Sequence, residues 1–190
     1  MTDGARRRTR QRPDERRTQL IGIGLEMLTT QPLHQITIDE VAAKAGISRS
    51  LLFHYFPTKR DYYAEVVRAG SRRLLRATRG DGSASLDTLV DGFLDFIERR
   101  HEPYIALFRS AGADDWVHEI FRDTRAALTD QVLTARAIEQ PNDLVRAAVG
   151  AWLAYAEELA LDWAQHHTGS RERIHALLTG ALDHIVRLAR

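Results

Sequence analysis

Arg49, Ser50 and Leu51 stand side by side, directly behind Ser48 and ahead of the run Phe53-His54-Tyr55. Each has chemistry suited to the edge of a base pair. The guanidinium of an arginine can grip guanine O6 and N7 together, a serine hydroxyl exchanges hydrogen bonds with several bases, and a leucine can rest on a thymine methyl. Thr37, Lys44 and Ser48 join them as DNA-binding candidates, and His54, Tyr55 and Lys59 add imidazole, phenol and ammonium donors. Such groups suit phosphate oxygens, contacts that fix register and carry no sequence information. Other chemistry is thinly supplied. The chain has no cysteine, hence no thiolate nucleophile, disulfide or cysteine-ligated zinc. It also has no glycine loop that could cradle a phosphate. The adjacent pair His166-His167 points in two directions on a helix. Catalysis, cofactors and metals are therefore not expected.

One metal-like pattern has to be weighed. Glu98-x-x-His101 and Glu172-x-x-His175 are two E-x-x-H pairs. Di-iron carboxylate enzymes built on helical bundles use two such pairs plus a glutamate from each of two further helices, and Glu119, Glu157 or Glu158 could supply those. The phase opposes this alternative. Glu172 lies beside a helix start and off the face formed by Ile174, Leu177, Leu178 and Ala181. Short motifs also match by chance.

The stretch Thr37 to Lys59, TIDEVAAKAGISRSLLFHYFPTK, positions the base-facing residues. Thr37 can cap a helix and Glu40, three residues on, can complete a capping box. Ile38, Val41, Ala42 and Ala45 recur at helical spacing. Gly46 stands where the helix must stop and the chain turn through positive φ. Ile47 is an apolar plug, and Ser48 can cap a second helix over Arg49 to Tyr55. Within that helix Leu52 faces inward, as does Phe56, four residues on. Pro57 breaks the chain, and Thr58 with Asp61 starts the next helix. A helix, a glycine turn and a second capped helix make a helix-turn-helix, whose second helix lays its N-terminal residues against base edges in the major groove.

The run ITIDEVAAKAGISRSLLFHYFPTKRDYY resembles the DNA-binding segment of the TetR family of bacterial transcription regulators, and RTQLIGIGLEMLTTQPLHQIT resembles that family's first helix and turn. The spacing is unbroken from Arg17 to Tyr62. The resemblance places Thr37 and Lys59 at phosphate-clamp positions and Arg49, Ser50 and Leu51 at base-reading positions. It puts Phe53, His54 and Tyr55 close to the DNA backbone. Three residues depart from the pattern: Ser50 stands where glycine is common, Phe53 replaces a tyrosine, and Arg60 replaces an acidic residue.

Composition fits this reading. The 190 residues are 44% hydrophobic and 28% charged, enough for a core and a solvated surface. Net charge is only +1, yet residues 1–79 hold 16 Lys+Arg against 8 Asp+Glu, a balance of +8, and residues 80–190 hold 11 against 18, a balance of −7. The basic half is the one with the helix-turn-helix, an asymmetry that points to nucleic acid. No apolar run approaches the ~18 residues of a membrane span, and the arginine-rich start lacks the apolar core of a signal peptide. The cytoplasm is the expected location.

The chain divides into a disordered basic arm (1–12), a helix-turn-helix domain (13–62) and a helical domain (63–190), an all-α fold. The first helix runs from Pro13 to about Gln31, and Gly22 and Gly24 inside it suggest a close crossing. A long helix from Thr58 to about Thr78 leaves the DNA-binding unit, followed by the loop GDGSAS. The next helix starts at Leu86 and should end before Pro103, with a separate short one from Tyr104 to near Gly112. Asp114 should open a helix to about Ala137, and the last two run from Asp143 to about His167 and from Ser170 onward. On helix 143–167, Trp152, Tyr155, Leu159 and Trp163 share one face. Val149, Leu153, Ala156, Ala160 and Ala164 share another about 100° away.

The resemblance implies a homodimer formed by the last two helices and a small-molecule inducer held among the middle helices. Phe93, Phe96, Tyr104, Phe108, Trp116, Phe121, Trp152 and Tyr155 are the candidate lining of an apolar ligand pocket, with Glu157, Glu158 or Asp162 orienting a polar group. The expected function is a repressor that binds a palindromic double-stranded operator and is released from it by a small hydrophobic or aromatic inducer.

Overall fold

The structure is a computed structural model that describes residues 13–80, 85–109 and 115–190. The basic arm, residues 81–84 of the loop and the Asp114 opener lie outside them. The described residues form helices and no strand: α1 (Pro13–Met27), α2 (Ile38–Ala45), α3 (Arg49–Tyr55), α4 (Lys59–Arg79), α5 (Leu86–Tyr104), α6 (Asp115–Ala135), α7 (Asp143–His166) and α8 (Arg171–Ala189). A 3-10 turn, Leu33–Gln35, follows Pro32, and a π-helical turn, Ile105–Arg109, continues α5.

Local chemistry sets most of these boundaries. Thr37 and Glu40 cap each other reciprocally: the Thr37 N–H donates to Glu40 Oε2 at 2.8 Å and the Glu40 N–H donates to Thr37 Oγ1 at 3.2 Å. Thr58 and Asp61 repeat the device at α4, and Ser48, Ser85, Asn142 and Ser170 each accept a backbone N–H at a helix start. Such a cap satisfies an orphan donor and contributes about 1 kcal/mol. Gly46 ends α2 at φ 64°, ψ 36°, a left-handed conformation that glycine adopts without steric penalty.

Two apolar clusters share α4. Tyr62, Val66 and Val67 at its start pack with Leu20, Val41 and Leu52 of α1, α2 and α3 and with Leu28, Ile36 and Phe56 of the turns that join them. Leu74 near its end packs with Leu94, Val132, Val149, Trp152 and Leu178 of α5 to α8. Leu107 and Ile120 reach from the second half of the chain into the first cluster. The two halves are thus joined by one continuous helix and by side chains that cross between them.

Of the two glycines inside α1, it is Gly24 that sits at the crossing over α4. A Cβ there would lie 2.5 Å from Tyr62 Oη and 2.6 Å from Val66 Cγ2, whereas one on Gly22 would meet nothing within 4 Å. The α1 helix also stops at Met27, earlier than its apolar periodicity suggests.

Two further expectations are corrected. Pro103 does not separate two helices. The chain leaves helical geometry at Arg100 (φ −146°, ψ 28°) and resumes through Pro103. After that break Pro103 falls in a first turn, where its missing N–H removes no intrahelical bond. On α7 the buried residues are Val145, Val149, Trp152, Ala156, Ala160 and Trp163, with Leu161 beside them, a set that takes members of both expected faces. A mean spacing of about 3.6 residues keeps this face against α5, α6 and α8. Tyr155 points outward and is 40% exposed.

Candidate nucleic-acid interface and ligand cavity

The first three residues of α3 are presented outward from a helix fixed underneath. Leu52 and Phe56 are fully buried, Ser48 accepts the Leu51 N–H at 3.2 Å, and Arg17 lies over the Phe56 ring at 5.0 Å from its centroid. Arg49 and Ser50 are exposed, and so is Leu51, at 40%. Arg49 has a partner in its own chain: its Nη1 donates to both carboxylate oxygens of Asp39 at 3.0 and 3.3 Å. Its guanidinium also lies over the Phe53 ring, 5.5 Å from the centroid. Sequence reasoning missed Asp39. Its only signal there is its place on the exposed side of α2.

The remaining candidates lie around this centre. Thr37, Lys44, Ser48, His54 and Lys59 are exposed, and Phe53 and Tyr55 are half-buried. Lys44 pairs loosely with Glu26 at 3.7 Å. Lys59 lies over the Tyr63 ring at 5.1 Å, and the Tyr63 hydroxyl donates to the Ile36 carbonyl. That bond ties the start of α4 to the turn before α2. The Tyr62 hydroxyl donates to the Leu20 carbonyl at 2.9 Å. Burial pushes both phenols above their ordinary value, so both remain hydrogen-bond donors. The side-chain hydrogen bond from Thr37 holds the Glu40 carboxyl below its usual range.

In the second half, a ladder of rings runs from Phe96 to Tyr104 (6.5 Å), on to Phe108 (4.6 Å, stacked) and to Phe121 (4.9 Å). A cavity of about 110 Å³ lies beside it, lined by Phe93, Tyr104, Phe108, Phe121, Leu128 and Leu153 and by Leu74 of α4. Its polar lining is Thr124, Arg125 and Glu157, and Arg125 donates to Glu157 at 3.1 Å. Phe96 lines a second cavity of about 60 Å³ that shares Tyr104 and Phe108 with the first. Trp152 borders a third, of about 20 Å³, and its indole N–H donates to the Leu178 carbonyl at 2.9 Å. Trp116 and Tyr155 line none of these three. Asp162 is turned to His166 and Thr168. The shared lining of neighbouring hollows by rings from α5, the π-helical turn and α6 was not legible in the sequence.

The E-x-x-H pairs do not assemble. Glu98 faces Arg171 at 3.5 Å, and His175 faces Asp87 at 3.6 Å. Glu172 stays at the exposed start of α8, its carboxyl held below the usual range first by a backbone N–H and then by the Ser170 hydroxyl. Among the described residues no group of three or more His, Asp or Glu side chains is placed to hold a metal ion. No described helix is long and apolar enough to cross a membrane.

A capped helix-turn-helix joined through one shared helix to a second helical half defines a two-part, all-helical protein of the helix-turn-helix regulator class. Comparison with known proteins narrows the class. The family model for bacterial regulatory proteins of the tetR family matches residues 20–66, and one described as the tetracyclin repressor-like C-terminal domain matches residues 83–188. The chain belongs to the TetR family.

Among curated relatives it is 33% identical over 114 residues to the HTH-type transcriptional activator FasR of Mycolicibacterium smegmatis, covering 56% of this chain and 52% of that one. It is 33% identical over 88 residues to the HTH-type transcriptional regulator BetI of Escherichia coli, covering 42% and 45%. The chain thus matches about half the length of these relatives. The crystal structure of a tetR-family transcriptional regulator from Streptomyces coelicolor superposes with a TM-score of 0.77 at 27% identity, covering 93% of this chain and 82% of that one.

Proposed function

We propose that this protein is a sequence-specific, DNA-binding transcription regulator that acts as a homodimer and answers to a small molecule. The observation that carries the reading is the start of α3. Arg49, Ser50 and Leu51 project from a helix locked by Leu52, Phe56 and its serine cap, inside the basic half of the chain. In this reading Arg49 reads a base, Ser50 and Leu51 contact its neighbours, and Thr37, Lys44, Ser48, Phe53, His54, Tyr55 and Lys59 grip the backbone on either side.

The dimer is proposed to form through α7 and α8. Leu177, His184 and Leu188 make an exposed stripe on α8, and Leu144, Ala151 and Tyr155 make one on α7. Gly180 lies beside the α8 stripe, and a Cβ on it would meet nothing within 4 Å. A helical glycine is disfavoured by about 1 kcal/mol relative to alanine, and close approach of a second copy gives it a reason. A symmetric dimer would set two recognition helices about 34–36 Å apart on a palindrome.

The ligand is proposed to occupy the hollow beside Phe93, Tyr104, Phe108 and Phe121. Leu74 of α4 lines that hollow, and Tyr62 of the same helix anchors the helix-turn-helix. The hollow is smaller than the ~300–1,000 Å³ of usual ligand pockets. A ligand must therefore push α4 outward and respace the recognition helices, and by linkage DNA must weaken the ligand equally. The proposed sign is repression relieved by the ligand. FasR is named an activator, and a bound regulator acts either way according to where its site lies.

The test is selection of genomic fragments by the purified full chain, followed by affinity against salt and a reporter driven by the selected site. A palindromic consensus bound far above random DNA supports the reading. Steeply salt-dependent binding with no consensus would leave backbone contacts only and refute a dedicated operator.

A further inference from the structure

The hollow of about 60 Å³ differs in charge from its neighbour. It is lined by Leu25, Leu28, Phe96 and Pro103, by Tyr104 and Phe108 of the ring ladder, and by two guanidinium groups, Arg73 of α4 and Arg100 of α5. Among the described residues neither arginine is ion-paired, nor is Arg76 beside them. In the 110 Å³ hollow, by contrast, Arg125 is neutralised by Glu157 at 3.1 Å. Arg73 and Arg100 stand exposed at the rim of the hollow, and partial desolvation first, then the like charges of Arg100 and Arg76, hold the Arg73 guanidinium below its ordinary value. Cations drawn together over an apolar wall without a counter-ion repel one another, and an anion placed between them relieves that repulsion.

The backbone is arranged around this spot. The helix break falls on Arg100 itself, and its guanidinium lies over the Phe96 ring, 5.5 Å from the centroid. The π-helical turn Ile105–Arg109 begins five residues beyond the break, a geometry concentrated at functional sites. Guanidinium forks match carboxylate and phosphate oxygens in geometry as well as charge. Behind them Tyr104 and Phe108 are shared with the larger hollow, so an apolar chain can continue from one into the other. The small volumes favour a slender tail over fused rings.

We infer that the small molecule of this protein is an amphipathic anion, its carboxylate or phosphate head held by Arg73 and Arg100 and its unbranched apolar tail lying along Tyr104 and Phe108. This rests on the ligand-responsive reading above and names the ligand class for the same site.

The test uses the full chain and calorimetric titration with decanoate and decyl phosphate below their micelle concentrations, decanol below its solubility limit, and inorganic phosphate. The decyl anions bind at least about tenfold tighter than decanol, the effect of one charge-assisted hydrogen bond, and inorganic phosphate binds far more weakly than decyl phosphate. Whichever of decanoate and decyl phosphate binds tighter identifies the head group. In R73Q/R100Q the preference for anion over alcohol falls to about one, and R73K/R100K restores part of it without restoring the fork. L153W, in the larger hollow, weakens every tailed probe. Helical circular dichroism shows each variant folded, and if R73Q/R100Q is not, R100Q alone is read.

Equal affinity for decanoate and decanol, or an anion preference unchanged in R73Q/R100Q, overturns the inference. Inorganic phosphate as tight as decyl phosphate overturns the tail. If no amphiphile binds but the chain selects an operator, this inference fails and the regulator reading stands. If the amphiphiles bind as described and no operator is selected, the regulator reading fails instead.

Discussion

Replacing Arg49 by alanine tests the base-reading assignment. In the free protein Arg49 is paired with Asp39 at 3.0 Å, and the two side chains are 59% and 69% exposed. A pair so open to water contributes about 0–1 kcal/mol. A bidentate arginine–guanine contact supplies about 1–3 kcal/mol of discrimination. The base contact outweighs the ion pair, so Arg49 should leave Asp39 for DNA, with a net gain of about 1–2 kcal/mol. Arg49→Ala should therefore lower affinity for the selected operator by about 5- to 30-fold and abolish preference at one base position per half-site.

Asp39→Ala, which removes the carboxylate paired with Arg49 on the proposed DNA face, should change folding stability by less than about 1 kcal/mol. It should tighten binding to all sequences and preserve the preference that Arg49 imposes. Fluorescence anisotropy at fixed salt, on the selected site and its single-base substitutions, measures both variants. If Arg49→Ala weakens every sequence equally and flattens the salt dependence, Arg49 is a phosphate contact and the reasoning fails.

Lys59→Ala should weaken all DNA sequences alike and reduce the slope of log affinity against log salt by about one unit; anisotropy from low to high salt checks it. Gly24→Ala should destabilise the fold by about 1–3 kcal/mol, because its Cβ would overlap Tyr62 and Val66. Gly22→Ala, with open space around it, should stabilise by up to about 1 kcal/mol; urea denaturation followed by circular dichroism should move the two midpoints in opposite directions. Leu177→Glu should convert the dimer into a monomer in sedimentation and weaken operator binding while helicity is kept. Tyr155→Ala should lower dimer affinity and leave amphiphile binding unchanged, and loss of amphiphile binding with the dimer intact would return Tyr155 to the pocket.

Features that depend on neighbours three or four residues apart could be read directly from the order of residues. The Thr37–Glu40 and Thr58–Asp61 boxes, the Gly46 turn, the serine caps and the inward Leu52 and Phe56 are local events, and their residue types nearly define them. For the same reason the helix-turn-helix and the all-α fold were legible in the order of residues alone. Tertiary structure decided what depends on which element comes alongside. Helical spacing gives the angle between side chains but not the direction of the core, so Tyr155 could be assigned to a pocket although packing against α5, α6 and α8 turns it outward. Proline chemistry predicts a stop, but the break at Arg100 moved Pro103 into a first turn, where it is harmless. The pairing of Arg49 with Asp39, and the approach of Arg73 to Arg100 over a shared wall of rings, join residues from different helices. No local rule brings such residues together, because their distance is set by how the helices pack.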